Sequence, residues 1–147
     1  MNKQQFGFTS QKSTIDAAMS VKKFISKIII EGNAVIVVSL VVQGTFDEAW
    51  WPSILYNIKE MKCPRNLFNL TQNYFTNRTA ILETNSIKLT RDISKGCPQG
   101  SCCGPGLWNI LYNPLLHLIF TKYSQVETFA DDLLVLIRGN NHKTMPI

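Results

Sequence analysis

The pair Asp131-Asp132 stands between two apolar runs, in Val126-Glu127-Thr128-Phe129-Ala130-Asp131-Asp132-Leu133-Leu134-Val135-Leu136-Ile137-Arg138. Short apolar runs on either side of a polar step predict two buried strands. Adjacent carboxylates repel each other and resist desolvation, so they belong at the end of a strand and not inside a core. A hairpin meets both demands, because its turn carries the acids to the rim of a sheet. Acids gathered there suit a divalent cation. Taken alone, the dipeptide reads more readily as a solvated turn.

The rest of the chain alternates helical and extended patterns. From Ser10 to Ile30, Ser and Thr capping candidates precede Ile15, Ala18, Met19, Val21, Phe24, Ile25, Ile28 and Ile29 at spacings of three and four. That stripe predicts an amphipathic helix ending near Glu31-Gly32-Asn33. Ala34 to Val42 is unbroken and rich in β-branched residues, which predicts a strand buried on both faces. A second helix is expected from Asp47-Glu48 to about Met61, with Pro52 in its first turn. A third should run from Pro64 to Tyr74. Arg78 to Leu82 and Ser86 to Arg91 read as strands around Glu83-Thr84-Asn85. Ser94 to Gly100 is a loop. A last helix is expected from Ser101 or Pro105 to Lys122, with Pro114 as a kink. Helices interleaved with hairpins place the chain in the α+β class.

Composition narrows the function classes. With 147 residues, 45% hydrophobic and 17% charged, the chain suits one globular domain. A net charge of +5 fits a polyanionic partner, yet Lys and Arg are spread along the chain with no basic block. Cys63, Cys97, Cys102 and Cys103 do not fall at zinc-finger spacing, and His117 and His142 are the two histidines. Reduced thiols in an intracellular protein follow, since no apolar leader opens the sequence. The apolar run from Ala34 to Val42 is too short to span a bilayer. The opening Gln5-Phe6-Gly7-Phe8 and a last strand close to the C-terminus read as a segment of a larger protein.

Three segments carry chemistry and are expected to converge: the end of the apolar strand with Gln43-Gly44-Thr45-Phe46-Asp47, the loop Gly96-Cys97-Pro98-Gln99-Gly100-Ser101, and the double-Asp turn. Together they would make a pocket for a phosphate-bearing substrate, the loop offering backbone N–H groups and the carboxylates holding metal.

In this order the segments resemble the reverse transcriptase domain of non-LTR retrotransposons. Gln5-Phe6-Gly7-Phe8, Ser13-Thr14 and Asp16-Ala17 are similar to the family's fingers motif, Q-x-G-F-R-x-x-x-S-T-x-D-A. Phe46-Asp47 through Trp50-Trp51-Pro52 resembles the segment after the first catalytic aspartate. Gly96 to Ser101, followed by Gly106-Leu107-Trp108-Asn109, resembles the loop and helix that place the incoming nucleotide. Phe129-Ala130-Asp131-Asp132 is similar to the catalytic box. The likeness runs from about Gln5 to Arg138.

The resemblance implies a palm-like antiparallel sheet packed on helices, with a remnant of the fingers (about residues 1–33), a palm (34–140) and no thumb. It implies RNA template, DNA primer and deoxynucleoside triphosphates as partners, Mg²⁺ as cofactor and no membrane. Asp131 would ligate metal and Asp132 would support metal or primer end. Phe46 would stand at the steric-gate position, and Gln99 and Gly100 would pack against nucleotide and template. The thumb and other domains would come from a parent polyprotein.

Two departures qualify this. Where the family has Leu-Asp, this chain has Leu40-Val41, so valine occupies the position of the missing metal ligand. Asp47 lies six residues on and already has a counterpart in the family pattern. Thr9-Ser10 replaces a segment that usually begins with Arg. The expectation is a polymerase by descent with an incomplete site; the alternative is a non-catalytic nucleic-acid-binding remnant. Trp50, Trp51 and Trp108 are expected in the core, His117 is expected to be structural, and the three clustered cysteines are expected to fill space. Arg78, Lys88, Arg91 and Lys95 would meet template phosphates or a solvated face.

Overall fold

The computed structural model describes residues 2–118 and 123–139. The expected last turn of the fourth helix, 119–122, and His142 lie outside the described residues. Helices and antiparallel sheets are mixed, as the α+β reading requires. The chain divides into two compact units, one built from residues up to Gln43 and from Tyr112 on, the other from Gly44 to Leu111.

The first unit begins with α1, Thr14–Ile30. Ser13 caps it in a capping box: its Oγ accepts from the Asp16 N–H at 3.2 Å, and the Asp16 carboxylate accepts from the Ser13 N–H at 2.8 Å. The Ser13 hydroxyl and N–H, with Lys12 nearby, hold the Asp16 carboxyl below its usual range. The end is a Schellman motif. Gly32, at φ 74°, donates to the Ile29 carbonyl at 2.9 Å, and Asn33 donates to that of Ile28 at 3.1 Å. The predicted stripe is only partly covered. Ile28 is buried and Val21, Phe24 and Ile25 are half-buried, whereas Ile15, Met19 and Ile29 are exposed.

Three strands follow, β1 (Ala34–Val41), β4 (Ser124–Phe129) and β5 (Asp132–Gly139), in the order β1-β5-β4 and antiparallel throughout. The order corrects one expectation. β1 was expected to be buried on both faces, yet all but its first two residues are exposed. It pairs with β5 alone, so one edge and much of its surface lie outside the described sheet. The strand buried on both faces is β5, whose Leu133, Val135 and Leu136 are 3%, 4% and 0% exposed. It is flanked by a partner on each side, and period 2 sends Leu133 and Val135 to one face and Leu136 to the other. The first face closes over Val126 and Leu116, with Leu115 and Ile137 around them. α1 lies against β1 and β4.

In the second unit, α2 (Trp51–Glu60) and α3 (Arg65–Phe75) pack on each other. α2 starts four residues later than Asp47-Glu48 suggested. Pro52 has no N–H and is tolerated only in a first turn, so a start at Asp47 would have placed it where a bond is needed. Asp47 and Glu48 instead lie in a run of turns, closed by the Glu48 N–H on the Gly44 carbonyl at 2.8 Å. The hairpin of β2 (Thr79–Glu83) and β3 (Lys88–Asp92) pairs Leu82 with Leu89. α4, Gly104–Tyr112, ends earlier than expected. Pro114 forces the chain into a 3-10 helix, Asn113–His117, after which Leu118 is extended.

Of the three tryptophans, Trp51 and Trp108 are in the core as expected, but Trp50 is 60% exposed. It caps α2 and bridges Lys95. His117 is exposed, its Nε2 3.5 Å from the Asn113 side-chain amide. No helix among the described residues is long and apolar enough to cross a membrane.

Candidate active site

The predicted site residues gather in two groups, one in each unit. In the first unit, Phe129 pairs with Asp132, leaving Ala130 and Asp131 as a two-residue turn between β4 and β5. Ala130 adopts φ 57°, the left-handed region that such tight turns demand. Asp131 is half-buried and Asp132 exposed. The same register places Val41 directly opposite Asp132 on β5's other flank. Cross-strand partners have Cβ atoms about 4.5–5.5 Å apart and point to one face. The strand end and the acidic turn therefore meet, with Val41 as the cross-strand partner of Asp132. Valine carries no oxygen.

Tyr112 belongs to this neighbourhood although no motif marks it. Burial, and then the charges of Asp131 and Asp132, hold its phenol above the usual range. The only sequence signal was an aromatic residue closing the apolar stripe of α4.

In the second unit, Phe46 and the Gly96–Ser101 loop are tied together. The Cys97 N–H donates to the Phe46 carbonyl at 2.6 Å, and the Gly96 N–H to the Ala49 carbonyl at 2.7 Å. The Trp51 indole N–H donates to the Gly96 carbonyl at 2.7 Å, while its ring stacks on Phe75 with centroids 4.9 Å apart. Gly96 sits at φ 102°, and a Cβ there would come within 3.3 Å of the Asp47 carbonyl oxygen. The Phe46 ring stacks on buried Trp108 at 5.6 Å, which fixes its plane. Ser101 finishes the loop: its Oγ donates to the Pro98 carbonyl at 2.7 Å and accepts from the Gly104 N–H, at the start of α4, at 2.9 Å. Gln99 and Gly100 are exposed, and Gly100 takes φ 76°. Beside them is a cavity of about 690 Å³ lined by Asp47, Trp51, Arg78, Lys95 and Gln99 among others.

Of the loop cysteines, only Cys97 fills space as expected; Cys102 and Cys103 are exposed. Burial, with the neighbouring Cys103, pushes the Cys97 thiol up to about 11. Lys95 pairs with Glu48 at 2.5 Å, Lys88 with Glu83 at 3.2 Å, and Arg78 lies over the Tyr74 ring at 4.5 Å.

Mg²⁺ is the metal the sequence implies. Among the described residues, no three His, Cys, Asp or Glu side chains are grouped as a metal centre would need. Two adjacent carboxylates can hold one hard cation, whereas a pair of ions about 3.5–4 Å apart needs a bridging carboxylate between them. The residues present do not fit a two-metal centre.

The sequence is similar to several retrotransposon proteins. It is 31% identical over 141 residues to the putative 115 kDa protein in type-1 retrotransposable element R1DM of Drosophila melanogaster, covering 96% of this chain and 13% of that protein. It is 33% identical over 141 residues to the retrovirus-related Pol polyprotein from type-1 retrotransposable element R1 of Bradysia coprophila, covering 96% and 14%. To the RNA-directed DNA polymerase from mobile element jockey of Drosophila melanogaster it is 28% identical over 145 residues, covering 95% and 16%. The chain thus spans between 13% and 16% of the length of these relatives. Residues 1–145 match the reverse transcriptase (RNA-dependent DNA polymerase) family, and the chain belongs to that family as a domain homologous to retrotransposon RNA-directed DNA polymerases.

Proposed function

We propose that this chain is the palm, with part of the fingers, of an RNA-directed DNA polymerase whose acidic site is impaired at Val41. The observation that carries the reading is the register that sets Val41 beside Asp132 at the acidic turn. Residues 1–33 correspond to the fingers side and 34–140 to the palm. The substrates are an RNA template, a DNA primer and deoxynucleoside triphosphates. The reaction joins the primer 3′-hydroxyl to the α-phosphorus of the nucleotide and releases pyrophosphate. Phe46, held flat by Trp108, excludes a 2′-hydroxyl from the sugar position. Gln99 and Gly100 border the nucleotide and template, and Asp131 and Asp132 bind one divalent ion. The thumb and other domains are supplied by the parent polyprotein.

The cost of valine follows from geometry. Without a bridging carboxylate no second ion is fixed, and misplacing a reacting group by about 1 Å costs on the order of a hundredfold in rate. Exchanging this segment into the jockey polymerase should therefore depress primer extension at least about a hundredfold, and Val41→Asp in the exchanged segment should restore it. Equal extension with valine and aspartate would overturn the assignment of position 41. The second reading, a remnant that grips primer–template without chemistry, is favoured by the same hydrocarbon side chain. It requires salt-dependent binding to an RNA–DNA hybrid that Val41→Asp leaves non-productive.

A further inference from the structure

The opening segment of the chain is built against the acidic turn. Gln5 bridges Thr128 of β4 in parallel register. The Phe6 N–H donates to the Thr128 carbonyl at 2.9 Å, and the Thr128 N–H to the Gln4 carbonyl at 3.0 Å. Gln5 and Thr128 are 2% and 1% exposed, and the Thr128 hydroxyl donates to Gln5 Oε1. Lys12 holds the segment from its other side, donating from Nζ to the Gln5 carbonyl at 3.0 Å with Nζ 4.6 Å from the Phe6 ring centroid. Asn2 ties it further, its side-chain amide donating to the Leu116 carbonyl at 2.9 Å. Strand β4, the turn carrying Lys12 and the 3-10 helix thus converge on residues 2–7.

Gly7 meets the turn itself. A Cβ there would stand 2.0 Å from the Ala130 nitrogen, 2.8 Å from the Ala130 Cα and 3.0 Å from the Phe129 carbonyl carbon. All three atoms are backbone, so no change of rotamer relieves the clash. Ala130 is already in the left-handed region, where an L-residue has little freedom to yield. A side chain at position 7 must either drive the Ala130–Asp131 turn outward or pull residues 4–7 off β4.

We propose that Gly7 is a positioning residue. By letting residues 4–7 lie flush on the turn backbone, it sets where Asp131 and Asp132 stand, and Gln5 locks that placement through Thr128. The proposal rests on the reading of the turn as the ion-holding site. A glycine that served packing alone would change stability without changing ion binding.

The test uses the chain labelled with ¹⁵N and carrying Val41→Asp, with Mn²⁺ alone as the probe. In the metal-free protein, Gly7→Ala should move the amide resonances of Ala130, Asp131 and Asp132 while those of β2 and β3 stay in place. Mn²⁺ binding at the turn should weaken at least about tenfold, the scale seen when groups that orient ligands are changed. Adding Ala130→Gly, which frees the left-handed position, should recover most of that loss. Unmoved turn resonances, or unchanged Mn²⁺ binding, would overturn the proposal. If the Val41→Asp chain with Gly7 intact binds no Mn²⁺ at the turn, the ion-site reading fails by itself, and the metal-free resonances still decide the placement. If Gly7→Ala does not fold, Gln5→Met keeps the volume and removes the side-chain amide that accepts from Thr128. It should shift the same three amides, and their constancy would equally refute the idea.

Discussion

The two hairpins of this chain share an architecture and differ in almost everything that decides stability. β4–β5 has buried residues on both strands, with Val126, Glu127 and Thr128 on β4 and Leu133, Val135 and Leu136 on β5. β2–β3 exposes every one of its residues. Apolar side chains are present in both. Leu82 and Leu89 face each other across β2–β3, yet they are 63% and 55% exposed. Strand pattern therefore says where a ladder forms, and only neighbours say whether it stabilises. A strand with partners on both sides and cover on a face removes apolar area from water at roughly 25 cal/mol per Å², and a strand in solvent does not.

The sharpest way to break this comparison is to cut into β5. Leu136 is fully buried, so Leu136→Ala leaves a cavity that the central strand cannot close by moving. The expected loss is about 2–5 kcal/mol of unfolding free energy, read by chemical denaturation. A loss below about 1 kcal/mol would mean that β5 is not the core strand of its unit.

This contrast also shows how far the sequence could be read. The β4–β5 turn was legible because two adjacent acids cannot sit inside apolar strands. The capping box at Ser13 and Asp16 and the Schellman end at Gly32 were legible as local chemistry. The burial of β1 was not. Ala34 to Val41 and Leu133 to Ile137 are the same kind of apolar run, and sheet order, a long-range property, made one an edge and the other a centre. Pro114 was read as a kink, yet α4 stops just before it; Pro52 stands in the first turn of α2 as read, and it is the helix start that moves to meet it. In the site, the meeting of Val41 with Asp132 followed from strand logic. The contact between Gly7 and the Ala130 backbone did not, since a motif names its residues without saying what they touch.

The same divide between inner and outer positions recurs within the loop that borders Phe46, where it becomes a matter of pH. Cys97 is buried and its thiol is pushed up to about 11 from 9.0, first by desolvation and then by Cys103. Thiolate is the nucleophile, so at any pH well below 9 the Cys97 thiolate fraction falls about a hundredfold short of an unshifted thiol. Cys102 and Cys103 are exposed. Iodoacetamide at pH 8, followed by mass spectrometry of the native chain, should consume exposed Cys102 and Cys103 well before Cys97, which is buried and held as the thiol. Comparable rates would show that the loop opens readily and does not hold Cys97 inside.

A smaller effect is expected on the outer hairpin. Leu82→Ala removes side-chain area that water already reaches, so the change should stay within about 0.5 kcal/mol. A cost approaching that of Leu136→Ala would mean that something covers β2–β3 in solution, and the contrast drawn above would collapse.

The smallest effect concerns charge on the same hairpin. Glu83 and Lys88 are register partners across β2–β3, with Nζ and Oε2 3.2 Å apart. Both side chains are more than half exposed, at 65% and 61%, so water and salt screen the pair. Ordering two long side chains offsets most of the remaining attraction. Lys88→Met should leave the denaturation midpoint unchanged within error. If the β2–β3 face contacts nucleic-acid phosphates, the same substitution should lower the slope of log affinity against log salt by about 0.9, because one fewer counterion is released. An unchanged slope beside an unchanged midpoint would assign Lys88 to a solvated face and leave the hairpin without a part in binding; a lowered slope would make β2–β3 an element that contributes contacts to a partner and nothing to the core.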